Sequence, residues 1–210
     1  MPMRIDHTTA LLVIDVQNDF CEGGALAVPG GSTIVPLINR LMPEFQTIAF
    51  TQDWHPAGHH SFAACHKGAR PYDVITLPYG AQVLWPTHCV AGTAGAMFHK
   101  DLDTDRAQVI IRKGFRESVD SYSAFFENDK TTATGLGGYL TQRGIEEIVC
   151  VGLATDFCVF YSAMDARKLG FRVCVIEDAC QAIDLDGSLA SAMEDMVRSD
   201  VMIRQSDELA

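Results

Sequence analysis

Three side chains of this sequence supply the parts of a thiol hydrolase. Cys158, in VGLATDFCV, is a nucleophile, Asp15, in IDVQNDF, a base, and Lys113, in IIRKGF, a cation that would stabilise the ionised forms of both. A second set has metal-ligand character. Asp53 and His55, in TQDWHP, stand two residues apart, which puts both on one side of an extended chain, and His88 follows in WPTHCVAGT. Two imidazoles and one carboxylate hold zinc or iron and leave positions open for water or a ligand.

Each residue also has an ordinary reading. A carboxylate or lysine after an apolar strand is commonly a solvated strand end, and a bare Asp-x-His is more often two polar residues of a loop. Most cysteines are buried, inert thiols, and Cys150 and Cys174, inside apolar runs, fit that description. Cys158 does not, because the stretch from Asp156 onward reads as the start of a helix. A thiol in the first helical turn feels aligned N–H groups that favour the thiolate, and neighbouring N–H groups can receive an oxyanion.

The elements that would position these residues follow from the apolar pattern. Strands are expected at Ala10 to Val16, Thr47 to Thr51, Gln108 to Lys113, Glu147 to Leu153, Phe171 to Ile176 and Val201 to Ile203. Helical spacing covers Ser32 to Met42, with Ser32 as N-cap and Pro36 in the tolerant first turn. Further helices are expected around Gly138 to Arg143, from Asp156 to Leu169 and from Leu185 to Arg198, with Gly144 and Gly170 as stops. The stretch Asp53 to Asp105 is weakly periodic and rich in His, Gly and Pro, the mark of a functional loop. This order predicts a single α/β domain over 1–210, three layers deep, with a mostly parallel six-stranded sheet. Asp15, Asp53, Lys113 and Cys158 then fall at the carboxyl ends of four different strands, the edge where such sheets bind ligands. Their convergence there is the strongest argument for a hydrolytic site.

Bulk properties narrow the class. The 210 residues carry a formal net charge of −11, which disfavours nucleic acid and anionic membrane surfaces as partners. No apolar stretch approaches the ~18 residues of a spanning helix, and the start MPMRIDHTTALLVIDV has no secretory pattern, so a cytoplasmic protein is expected. Seven cysteines without a CxxC pair argue against a disulfide framework or a zinc ribbon. Homo-oligomerisation is left open.

The sequence resembles the nicotinamidase/pyrazinamidase family of isochorismatase-like cysteine hydrolases. The matching stretches are IDVQNDFCEGGAL (14–26), TQDWHPAGHHSF (51–62), LWPTHCVAGTAGAMFH (84–99), IRKG (111–114), DSYSAFF (120–126) and VGLATDFCV (151–159), in family order and spacing. The resemblance implies an isochorismatase-like hydrolase fold and a catalytic triad of Asp15, Lys113 and Cys158. It further implies one zinc or iron ion on Asp53, His55 and His88, and a ring-binding wall of Phe20, Leu26, Trp85 and Tyr122. Oxyanion-hole N–H groups would come from Ala154 and Cys158, with a cis peptide between Leu153 and Ala154. Nicotinamide, a small molecule, would be hydrolysed to nicotinate and ammonia through a cysteine thioester, in the salvage of NAD, and pyrazinamide would also fit. Some family members place a further metal-site histidine after Asp-x-His; here both His59 and His60 are candidates. Rival readings from the residues are a carbamoyl or ureido hydrolase without need of the metal, a non-haem iron oxygenase, and a non-catalytic metal or thiol-redox module.

Overall fold

The computed structural model describes residues 5–209. Residues 1–4, part of the start read above for a targeting signal, lie outside the described residues. Among the described residues eight strands occur: β1 (Thr9–Ile14), β2 (Thr47–Asp53), β3 (Val74–Leu77), β4 (Gly80–Val83), β5 (Val109–Lys113), β6 (Glu147–Leu153), β7 (Arg172–Gln181) and β8 (Met202–Arg204). Four α-helices accompany them: α1 (Val35–Leu41), α2 (Leu136–Gln142), α3 (Phe160–Lys168) and α4 (Ser188–Arg198).

Six strands form one sheet in the order β5-β2-β1-β6-β7-β8, and every pairing is parallel. The continuous apolar runs of β1, β2 and β6 are buried along their whole length, as a sheet covered on both faces requires. Alternate residues divide between the faces. Leu11, Val13, Phe50 and Val151 pack with Ile34, Val35 and Ile38 of the α1 region. Leu12, Ile14, Cys150 and Val175 pack with Leu140 of α2, Ala163 of α3 and Met196 of α4. The result is the expected three-layer α/β arrangement, with the sheet parallel throughout rather than mostly so.

Strand order reverses beside β1. The chain runs outward from β1 through β2 to β5, then returns to β6 on the other side of β1. A crevice opens at such a reversal, at the carboxyl ends of the strands. β1 and β6 approach closely there: a Cβ on Gly152 would lie 2.1 Å from the carbonyl oxygen of Ile14. Only glycine fits at that position, which also has φ 121.

Three local expectations are corrected. Ser32 does not cap α1, because a 3-10 turn (Gly31–Ile34) precedes the helix and the Ser32 hydroxyl bonds Glu22 instead. The segment before α3 is a π-turn over Thr155–Val159 rather than α-helix. Inside the long stretch after Asp53, β3 and β4 form an antiparallel hairpin that the weak periodicity concealed.

Candidate active site

Asp15 follows β1 in a left-handed conformation, φ 50, an uncommon one for a non-glycine residue. It is held there from β2: Thr51 Oγ1 accepts the Asp15 N–H at 3.2 Å and donates to Asp15 Oδ1 at 2.6 Å. Lys113 ends β5 with its side chain wholly buried, and its Nζ lies 2.8 Å from Asp15 Oδ2, 3.4 Å from Cys158 Sγ and 2.9 Å from the Ser121 carbonyl oxygen. It also bonds the Asp53 carboxylate. The Asp15 carboxylate is thus held from two sides, by the Thr51 hydroxyl on Oδ1 and by the Lys113 ammonium on Oδ2.

Burial and charge set the protonation states. Burial works against the Lys113 cation, but Asp15 and Asp53 overcome it and hold its ammonium well above the usual lysine range. Burial likewise opposes ionisation of Asp53, and Lys113 with His55 overcomes it, keeping this carboxyl well below the usual range. For Asp15 burial prevails over Lys113, and its carboxyl is raised. Burial pushes the Cys158 thiol far up, with Lys113 opposing and Asp15 reinforcing. Removal from water thus outweighs the cation, while the helix start and Lys113 favour the thiolate once the proton leaves. The Asp15 carboxylate lies within 4.8 Å of Cys158 Sγ, placed to accept its proton.

Asp53, His55 and His88 converge next to this set. Asp53 Oδ2 lies 3.4 Å from His55 Nε2 and 3.8 Å from His88 Nε2. The other ring nitrogens face backbone carbonyls, His55 Nδ1 that of Gly114 and His88 Nδ1 that of Pro86, both at 2.8 Å. With Nδ1 as donor, each Nε2 is left to act as a ligand atom, and the ligand atoms of the three residues lie within 4.8 Å of one another. Gly114 is bare of necessity, since a Cβ there would meet the His55 ring at 2.3 Å. Gln17 clamps the Asp53 backbone, accepting its N–H and donating to its carbonyl, each at 2.8 Å. Asp19 accepts the Cys89 N–H at 2.7 Å and so fixes the loop that presents His88. Donors, burial and charge fit a divalent metal ion. Asp53, His55 and His88 are one of three side-chain groups among the described residues close enough to share an ion. The others, His55 with His59 and Asp120, and Asp15 with Asp53 and Cys158, overlap it. His59 is buried, its ring centre 4.3 Å from that of His55, whereas His60 is exposed.

The pocket above the sulfur is lined by Phe20, Leu26, Trp85, Tyr122, Ala154 and Cys158, together with Asp53 and His88. The Leu153–Ala154 peptide is cis. Three lining residues, Asp120, Phe157 and Ile183, were not singled out from the sequence, nor was the buried Gln82 that supports them. Gln82 Nε2 donates to Asp120 Oδ2 at 2.9 Å and to the Tyr122 hydroxyl at 2.8 Å, tying the β3–β4 hairpin to the pocket wall. Trp85 Nε1 donates to the same hydroxyl at 3.1 Å, and Phe157 packs edge-on against Trp85 with ring centres 4.9 Å apart. Phe157 and Ile183 carried a usable signal, since both follow strands at the carboxyl edge.

Residues 9–206 match the model of the isochorismatase domain. The chain belongs to the isochorismatase family. Within that family, this member is 55% identical to the nicotinamidase of Acinetobacter baylyi over 95% of its own length and 93% of the relative's. A solved nicotinamidase/pyrazinamidase from Acinetobacter baumanii superposes with a TM-score of 0.96 at 54% identity, covering 98% of this chain and 99% of the other. The pyrazinamidase of Pyrococcus horikoshii, solved in complex with zinc, has a TM-score of 0.76 at 35% identity, with 94% of this isochorismatase-family chain and 99% of the other covered.

Proposed function

We propose that the protein is a nicotinamidase that also accepts pyrazinamide, carried on one domain, releasing ammonia and the aromatic acid from the small-molecule amide. The observation that carries this reading is the approach of Lys113 Nζ to both Asp15 and Cys158 at the floor of an aromatic-walled pocket beside three metal-type donors. The identities to nicotinamidases over nearly the whole chain support it.

Asp15, Lys113 and Cys158 act as the catalytic set. Asp15 takes the Cys158 proton while Lys113 compensates the charge that develops on sulfur. The sulfur adds to the amide carbon, and the oxyanion is received by the N–H groups of Ala154 and Cys158. Asp15 returns its proton to the departing nitrogen as the C–N bond breaks, giving ammonia and a thioester. A water molecule, losing its proton to Asp15, adds to the thioester carbon; the C–S bond breaks and the thiol is restored.

Phe20, Leu26, Trp85 and Tyr122 enclose the ring and exclude water from the reacting carbon. Asp53, His55 and His88 would hold one zinc or iron ion, which when bound supplies a ligand position for a ring nitrogen and so orients the amide. Seven free cysteines suit a reducing compartment, and we place the protein in the cytoplasm.

Chromatography of the products formed from nicotinamide and from pyrazinamide by metal-replete protein tests the reading. The expected outcome is the matching acid from both. Intact amides after prolonged incubation with folded, metal-replete protein would overturn it.

A further inference from the structure

The turn that carries Cys158 also carries Asp156, whose carboxylate has no part in the reaction above. It is buried, and it accepts three hydrogen bonds from a single segment beyond β7. Oδ1 takes the N–H of Ile183 at 3.0 Å, and Oδ2 takes the N–H of Asp184 at 2.8 Å and the hydroxyl of Ser188 at 2.5 Å. No cation pairs with it among the described residues, so these donors alone offset the cost of burying its charge.

The segment has two further anchors, the packing of Ile183 against the core and the Leu189 N–H on Asp184 Oδ1 at 3.3 Å. Asp184 and Asp186 are left-handed, φ 55 and 51, a conformation that non-glycine residues adopt only when the surroundings impose it. Ile183 is the member of this segment that lines the substrate pocket, alongside Phe157 and Cys158. One carboxylate, two residues before the nucleophile, therefore joins the turn bearing the sulfur to a wall of the pocket on the next strand's exit loop.

We propose that Asp156 is a positioning residue that sets the substrate pocket's width by fixing Ile183 against the Cys158 turn. This rests on the amidase reading of that pocket. Asn at 156 keeps one acceptor oxygen but turns an N–H₂ toward a remaining donor, so the Ile183 loop should detach while the turn keeps its shape.

The test is a double-substitution cycle on metal-replete enzyme, with KM and kcat for nicotinamide measured for wild type, Asp156→Asn, Ile183→Ala and the pair. Each single change is expected to raise KM about tenfold, the size of one lost charge-assisted hydrogen bond or wall contact, with kcat within about threefold. The pair should match the larger single effect, because both act through one side chain. Multiplication of the two effects toward about a hundredfold would overturn the proposal, as would an unchanged KM in Asp156→Asn protein with only a lowered Tm. Should Asp156→Asn fail to fold, Ser188→Ala removes one donor outside the pocket. It should raise KM about threefold in wild type and not at all in Ile183→Ala protein; an unchanged wild-type KM would overturn the proposal. Wild-type protein that releases no ammonia would instead sink the amidase reading itself, a separate result.

Discussion

The ammonium of Lys113 bonds the carboxylate of Asp53, so the cation beside the nucleophile also touches the metal-type donors. Asp53 ends β2 and Lys113 ends β5, and the two are direct partners in the parallel register. With Asp15 at 2.8 Å as well, Lys113 is the shared counter-ion of two buried carboxylates. The thiol site and the donor set are thus one electrostatic unit.

Replacing Lys113 by Met should therefore damage more than catalysis. It strands Asp15 without a counter-ion and leaves Asp53 only its imidazole neighbours, a loss expected to cost about 3–5 kcal/mol. Urea unfolding of the chelated protein measures it. A change below about 1 kcal/mol, the worth of an exposed pair, would contradict the shared-cation account.

Metal dependence should track His55. Dialysis against a strong chelator is expected to suppress ammonia release, and zinc or iron to restore it. His55→Ala should lower metal affinity by more than the roughly 10–100-fold typical of losing an outer-shell partner. Metal analysis after dialysis reads the affinity directly, and full retention by His55→Ala would exclude that residue as a ligand.

Tyr122→Phe removes the oxygen that accepts from both Gln82 and Trp85. Two donors lose a partner, which should cost about 1–3 kcal/mol of stability and raise KM as the wall loosens. Denaturant midpoints and steady-state kinetics check both, and an unchanged midpoint would show that the donors find water instead.

His59 should make the metal-free protein acid-sensitive. Burial pushes its imidazole down to about 4, from 6.5. The folded state thus holds fewer protons than the unfolded chain between those values. Its contribution is complete above pH 6.5 and is lost as pH falls toward 4, on the order of 2–3 kcal/mol. His59→Gln should flatten the stability profile across that window in chelated protein. Equal slopes for the two proteins would contradict this.

What could be seen in the sequence was whatever rests on local pattern. The apolar runs around Leu11, Ile48 and Ile110 place three neighbouring strands, and a polar residue at the carboxyl end of each falls at the crevice. Asp15, Asp53 and Lys113 were found by that rule. The depth of Cys158 was not, because its burial depends on packing across the sheet. Gln82 stayed hidden for a similar reason: it lies 38 residues from Asp120 in sequence, and no short-range pattern marks that contact. Asp156 was quoted within a motif, yet its partners beyond β7 appear only in three dimensions.

The most direct test of the central claim is ammonia release from nicotinamide by metal-replete wild type beside Cys158→Ala. Wild type should turn over, and the variant should fall by roughly a thousandfold or more while still binding nicotinate. A Cys158→Ala protein that releases ammonia at the wild-type rate would show that the sulfur is not the nucleophile.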